Sequence, residues 1–298
     1  MKRRSFLRAL FLTTPILLAP GLASAFEIGL PGGFKVDTED IKNSYKAPPK
    51  KPAGYQEITP QQEHYLGRAV AASILTKYSP LQHDRAQKYL NVMGLALAKV
   101  SDRPETFGGY KFMILDTDEI NAMSAPGGFI FVTKGMLRCC KTEDAMAAAL
   151  AHEIAHVQRK HPLQALSKGV INQAARTQSL PGTSTFFLEN EKNLAKTLGT
   201  GTETITTTLL ENGYSTEFEE EADKDAVTIL QRLGYDPNYF IEMLQVMKKR
   251  LAEEAAFAKT HPAPEDRIKT VESIIGAYRK TKPSVARKFR FMTMTGGM

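Results

Sequence analysis

His152-Glu153-Ile154-Ala155-His156 puts two imidazoles and a carboxylate within five consecutive positions. On a helix, at about 100° per residue, positions 152 and 156 lie about 40° apart on one face, so both imidazoles can reach a single ion. Glu153 flanks that face and is placed to touch a water beside the metal instead of the metal itself. A metal acidifies such a water, and a carboxylate so placed takes its proton as it attacks a peptide carbonyl. The competing reading is an amphipathic helix with two incidental histidines. Two nitrogens do not hold a catalytic zinc: a third protein ligand is needed, with one position left open. His161 lies about 140° around the helix from His156, beside Pro162 where the helix should end, and reads as a cap or a partner of the helix C-terminal dipole. Arg159 and Pro162 stand where the extended three-histidine motif requires glycine and histidine, so the third ligand is expected to be an acid elsewhere. Residues 217–225 hold six acids in nine positions. Such a run is ordinarily a solvated face, but Phe218, Ala222, Ala226, Ile229 and Leu230 give it an apolar stripe. Glu219 and Asp223 fall one turn apart on one side, where one can ligate and the other orient a ligand histidine. Spacing alone does not choose between the acids.

These side chains need elements to hold them. Thr142 with Glu143 and Asp144 marks a helix N-terminus, and the apolar run Ala145–Ala151 carries that helix into the motif. Thr59-Pro60-Gln61-Gln62 is a capping box with proline at the first helical position, followed by Leu66, Val70, Ile74 and Tyr78 at helical spacing. A second helix is expected from about Gln82 to Val100, with Tyr89, Leu90, Met93, Leu97 and Val100 inward. Tyr110–Leu115 and Phe129–Thr133 read as strands separated by Pro126-Gly127-Gly128. The pattern is helical from 134 to 176, breaks over 177–214, and resumes near Ser215 and again near Pro237. The order of elements predicts an α+β fold, mostly helical with a small β-sheet.

The chain has 298 residues, 42% hydrophobic and 24% charged, ordinary globular usage that excludes wholesale disorder. Two adjacent cysteines, Cys139 and Cys140, exclude a disulfide framework and read as packing residues at a helix end. The formal charge of +7 includes Lys2, Arg3, Arg4 and Arg8 in a leader without acids, and what remains is no footprint for nucleic acid. That leader, a basic start, an apolar run from Ala9 to Ala19 and the small residues Ala23-Ser24-Ala25, reads as an export signal over 1–25, cleaved near Ala25. Its paired arginines are compatible with either the twin-arginine or the general secretory route. Residues 26–58 read as a linker or strapped-down arm. Residues 279–298 hold six bases and no acids. They read as a solvated basic tail, with peripheral contact to anionic lipid as the alternative.

Four blocks between Glu63 and Tyr278 resemble a known family. They are Leu66-Gly67 to Tyr78 with Asp84 and Tyr89-Leu90; Asn121-Ala122 with Pro126-Gly127-Gly128-Phe129-Ile130-Phe131-Val132; the HExxH segment through His161; and Glu219-x-x-Ala222-Asp223 followed by Thr260-His261-Pro262 and Arg267. Together they resemble the soluble periplasmic branch of the HExxH zinc metallopeptidases related to the CAAX prenyl protease, the group that includes BepA-like proteases. Met123-Ser124-Ala125 departs from many relatives, in a stretch that bears on specificity.

The resemblance implies a zincin-like (gluzincin) metallopeptidase domain over 59–278 and one Zn2+ per chain, held by His152, His156 and Glu219. It implies Glu153 as general base and then acid, Asp223 as the acid behind a ligand histidine, and His261 near the zinc, polarising the oxyanion or sealing the site as a fourth ligand. Arg267 is implied to support that loop. The strand including Gly128, Phe129, Ile130 and Phe131 is expected to pair with an extended substrate by β-addition. The expected function is periplasmic cleavage of misfolded or unassembled envelope proteins, the alternative a binding or assembly factor with a latched or weakly active zinc site. Residues 177–214 are expected to act as its lid.

Overall fold

The computed structural model describes residues 58–165, 202–253, 260–278 and 284–296. The leader 1–25, the arm up to 57, and residues 177–201 of the expected lid lie outside the described residues. Helix α1 (Pro60–Lys77) starts on its capping box: Thr59 Oγ1 accepts from the Gln62 amide at 3.2 Å while Gln62 Oε1 accepts from the Thr59 amide at 2.9 Å. Helix α2 (Asp84–Lys99) follows, with Tyr89, Leu90, Met93 and Leu97 buried as the spacing predicts. Strand β1 (Lys111–Leu115), β2 (Ala122–Ala125), a tight 3-10 turn at Pro126–Gly128 and β3 (Phe129–Thr133) come next. Helices α3 (Lys134–Cys139) and α4 (Glu143–Arg159) follow. After helical backbone at 202–207 and a π-helical turn at Thr208–Asn212 come α5 (Thr216–Arg232), α6 (Asn238–Glu253), α7 (Pro264–Ile275) and α8 (Val285–Thr295). The result is mostly helical with one small sheet.

The sheet order is β1-β3-β2, with β1 parallel and β2 antiparallel to β3. Alternation along the strands sends Phe112, Ile114, Ile130 and Val132 into a core shared with α2, α4, α5 and α6. Leu115, Met123, Ala125 and Phe131 go into a second core under α1 and residues 205–209. Two expectations change here. β2 is too short and too uniformly buried to show a period in sequence, so Met123-Ser124-Ala125, distinguished in sequence only as a departure from relatives, is not among the expected strands although it forms one. Its presence puts β3 in the middle of the sheet. Phe129 to Val132 pair with β1 on one side and β2 on the other, so their backbone has no free edge for β-addition, and among the described residues the unpaired sheet edge nearest His261 is that of β2.

Helix α4 is buried from Glu143 to Val157, and its alanines let α5 pack along it. The helical pattern expected over 134–176 is interrupted twice, at Cys140–Thr142 and at Lys160, whose left-handed backbone (φ 57°) ends α4. The segment 177–214, expected to break the helical pattern, is helical over 202–212 and buries Ile205 and Leu209 there. Within the basic tail, residues 285–295 form a docked helix and not a solvated end. Arg290 Nε donates to Glu143 Oε2 at 2.8 Å, Arg287 Nη1 to Asp144 Oδ1 at 2.9 Å, and Phe291 is buried. Cys139 and Cys140 are buried free thiols at the end of α3. No helix among the described residues is long and apolar enough to cross a membrane.

Candidate metal centre

Helix α4 carries His152 and His156 one turn apart, and their Nε2 atoms converge to 3.1 Å. From the first turns of α5, Glu219 brings Oε2 to 3.5 Å from His152 Nε2 and Oε1 to 3.5 Å from His156 Nε2. His261, in the turn before α7, lies with Nδ1 2.9 Å from Glu219 Oε2 and Nε2 3.4 Å from the Ala122 carbonyl. One donor atom from each of these four residues falls within 4.8 Å of all the others. A tetrahedral ion bound at about 2.0–2.1 Å holds its ligand atoms about 3.3 Å apart, so the observed spacings fit a zinc-sized cation. Nitrogen and carboxylate donors are the set zinc takes.

Other side chains hold members of this group in place. His152 Nδ1 lies 2.9 Å from Asp223 Oδ1, and Arg267 clamps the same carboxylate at 2.6 and 3.2 Å. Arg267 Nη2 also comes within 3.1 Å of His152 Nδ1, but with a metal on Nε2 the proton sits on Nδ1 and turns to the carboxylate. Thr260 Oγ1 donates to Asn121 Oδ1 at 2.9 Å and ties the His261 turn to the residue before β2. Gly213 passes so close that a Cβ there would lie 2.3 Å from the Thr260 carbonyl oxygen, and its φ of 71° suits glycine. Glu153 is buried beside this group, with Oε2 lacking a hydrogen-bond partner and Oε1 3.9 Å from His261 Nε2.

The electrostatics favour a cation at the centre. Burial and Arg267 oppose a proton on His152, yet its hydrogen bonds to Asp223 and Glu219 outweigh them and push it up to about 9. His156 is driven well below the ordinary histidine range by burial and then by the charge on His152. Burial opposes ionisation of Glu219 and Asp223, but His261 with His152, and Arg267 with His152, hold them below the usual carboxylate range. A metal ion can take the place of the proton these carboxylates draw in.

The structure brings together His152, Glu153, His156, Glu219, Asp223, His261 and Arg267. Gly128 lies in the 3-10 turn, and Phe129 to Phe131 lie inside the sheet. Sequence reasoning missed two neighbours. Tyr214 stacks on His156 with ring centroids 4.5 Å apart, its hydroxyl buried without a partner; no periodicity or motif marks it. His161 is no helix cap: its Nδ1 lies 2.8 Å from His156 Nδ1 and its Nε2 3.1 Å from Glu221 Oε2.

Residues 84–275 match the model of Peptidase family M48. The chain is 27% identical to the beta-barrel assembly-enhancing protease of Escherichia coli over 189 residues, which covers 61% of this chain and 37% of that protein. It is 28% identical to a putative beta-barrel assembly-enhancing protease of Vibrio cholerae over 222 residues, 71% of this chain and 43% of that protein. A mitochondrial metalloendopeptidase of Schizosaccharomyces pombe is 30% identical over 160 residues, 51% of this chain and 42% of the relative. The chain thus spans less than half the length of each of these relatives.

Proposed function

This chain belongs to peptidase family M48, and from that premise we propose that it is a zinc-dependent endopeptidase of the bacterial periplasm, cutting misfolded or unassembled envelope proteins. The observation that carries the proposal is the convergence of His152, His156, Glu219 and His261 donor atoms within 4.8 Å, beside a buried Glu153 whose Oε2 has no partner. The leader at 1–25 and the bacterial relatives named for β-barrel assembly support the periplasm and the substrate class. The catalytic domain is proposed to extend over 59–278.

His152, His156 and Glu219 would hold one Zn2+. When bound, zinc supplies Lewis-acid polarisation of water and of the scissile carbonyl. Glu153 accepts the proton of the attacking water and passes it to the leaving amine as the C–N bond breaks. Asp223, itself clamped by Arg267, keeps the His152 proton on Nδ1 and its lone pair on Nε2. The substrate adds along the edge of β2, where main-chain hydrogen bonds can lay an extended peptide beside Glu153. Outward on α8, the stripe Val285, Phe289 and Met292 with Lys288 is proposed as a peripheral contact with anionic lipid.

A second reading rests on His261: as a fourth ligand it would close the open position and leave a binding or assembly factor with a latched site. One experiment addresses both. The purified protein is assayed for zinc content and for cleavage of an unfolded model protein, beside Glu153→Gln and His261→Ala. Wild type should hold zinc and cut. Glu153→Gln should keep zinc and lose cleavage by about 100-fold or more. Cleavage that survives in Glu153→Gln, or a wild type without zinc, refutes the proposal. Cleavage that emerges only in His261→Ala establishes the latched form.

A further inference from the structure

We infer that His161 and Glu221 position the ligand imidazole of His156, through a hydrogen-bonded relay that runs from Glu221 to His161 to His156 and aims Nε2 of His156 at the metal. The inference rests on the metal-centre reading above and concerns how one ligand is held. A histidine that binds metal through Nε2 carries its proton on Nδ1, and that proton needs an acceptor. For His152 the acceptor is the Asp223 carboxylate. For His156 the partner given at Nδ1 is His161 Nδ1, at 2.8 Å. His161 must then present its lone pair there and carry its own proton on Nε2, where Glu221 Oε2 accepts at 3.1 Å. The two ligand histidines are therefore oriented differently, one directly by an acid and the other through an intervening imidazole.

The backbone is bent to achieve this. Had α4 continued, His161 would lie about 140° around the axis from His156. Instead Lys160 adopts φ 57° and ψ 32°, the one positive φ at a non-glycine among the described residues, and the chain folds back beneath His156. A left-handed residue with a side chain costs about 1–2 kcal/mol, which is retained where the surroundings over-determine it. Here they do. The His161 ring is fully buried and lies flat on Phe218, with centroids 4.3 Å apart and planes 5° apart. Phe218 is the neighbour of Glu219, so a single turn of α5 delivers the proposed third ligand, the stacking ring and Glu221. Arg159 reaches Glu221 Oε1 at 3.8 Å and steadies the outer end of the relay.

The test reads zinc affinity by competition with a chromogenic chelator, on the purified protein, with circular dichroism to verify folding. His161→Phe keeps the ring stack and removes the acceptor; it should weaken zinc about 10–100-fold. His161→Gln, whose amide oxygen can accept from His156 Nδ1, should recover most of that loss. Glu221→Ala, at the half-exposed end, should weaken zinc in the same direction and to a smaller extent. Affinity unchanged in His161→Phe overturns the inference, as does equal loss in His161→Phe and His161→Gln, which would make the residue mere packing. If His161→Phe does not fold, unchanged affinity in Glu221→Ala overturns it instead. Wild type that takes up no zinc refutes the metal centre, and this relay with it; wild type that binds zinc while the variants match it refutes the relay alone.

Discussion

Asp223 shows how much chemistry depends on a side chain that does not ligate. It is 1% exposed, yet Arg267 and His152 keep it charged, and in the proposed metal centre it would hold the His152 proton on Nδ1. Asp223→Asn preserves the shape but offers an amide that can also donate, so the His152 tautomer is no longer enforced. Zinc affinity should fall about 10–100-fold, measured by the same chelator competition. Retention at wild-type affinity would show that Arg267 and packing suffice to orient His152. Much of this cluster was legible in the residues: the spacing of His152 and His156 and the one-turn offset of Glu219 from Asp223 follow from helix geometry. Which acid faces His152 and His156 was not legible, because six acids crowd into residues 217–225 and only the angle of α5 against α4 separates them.

Helix α4 delivers its ligands from a fully buried position, and its first turn is where the rest of the fold grips it. Thr142 Oγ1 caps the Ala145 amide at 3.1 Å, while Glu143, 1% exposed, accepts from the hydroxyls of Tyr89 at 2.5 Å and Tyr235 at 3.0 Å and from Arg290. α2, the α5–α6 turn and α8 thus meet on one carboxylate. Glu143→Ala would strand two buried hydroxyls, while the half-exposed Arg290 turns to solvent, at a cost of about 3 kcal/mol. Urea unfolding should show the midpoint falling with an unchanged slope; a variant as stable as wild type would mean these groups find water instead. The capped helix starts at Thr59 and Thr142 were readable because capping is a local hydrogen-bond pattern. The docking of α8 was not, since Arg287 and Arg290 meet Asp144 and Glu143 across more than 140 residues.

On the surface of the molecule as a whole, α8 turns an apolar stripe outward among the described residues. Val285, Phe289 and Met292 fall at positions i, i+4 and i+7 of α8, each more than 60% exposed, opposite the face that buries Phe291. With Lys288 beside them and no acid in 279–298, the stripe suits the interface of an anionic bilayer. The protein should co-float with vesicles containing anionic phospholipid and not with purely zwitterionic ones, and Phe289→Asp should abolish co-flotation. Equal recovery with both vesicle types, or with neither, would sink the lipid contact.

The sequence by itself determined the face shared by His152 and His156 with Glu153 beside it, the helix starts and the mostly helical class, all of which arise from periodicity and local hydrogen bonding within a few residues. The resemblance narrowed the family and the third ligand. Only the tertiary structure decided that β3 lies inside the sheet, that His161 turns back to His156 and that Tyr214 stacks on the same ring. It alone also decided that the basic C-terminal stretch is a docked helix. The physical reason is common to all four. A strand edge, a left-handed turn, a ring stack and a long-range ion pair are set by what packs against them, and residues far apart in the chain carry no periodic signal of their meeting.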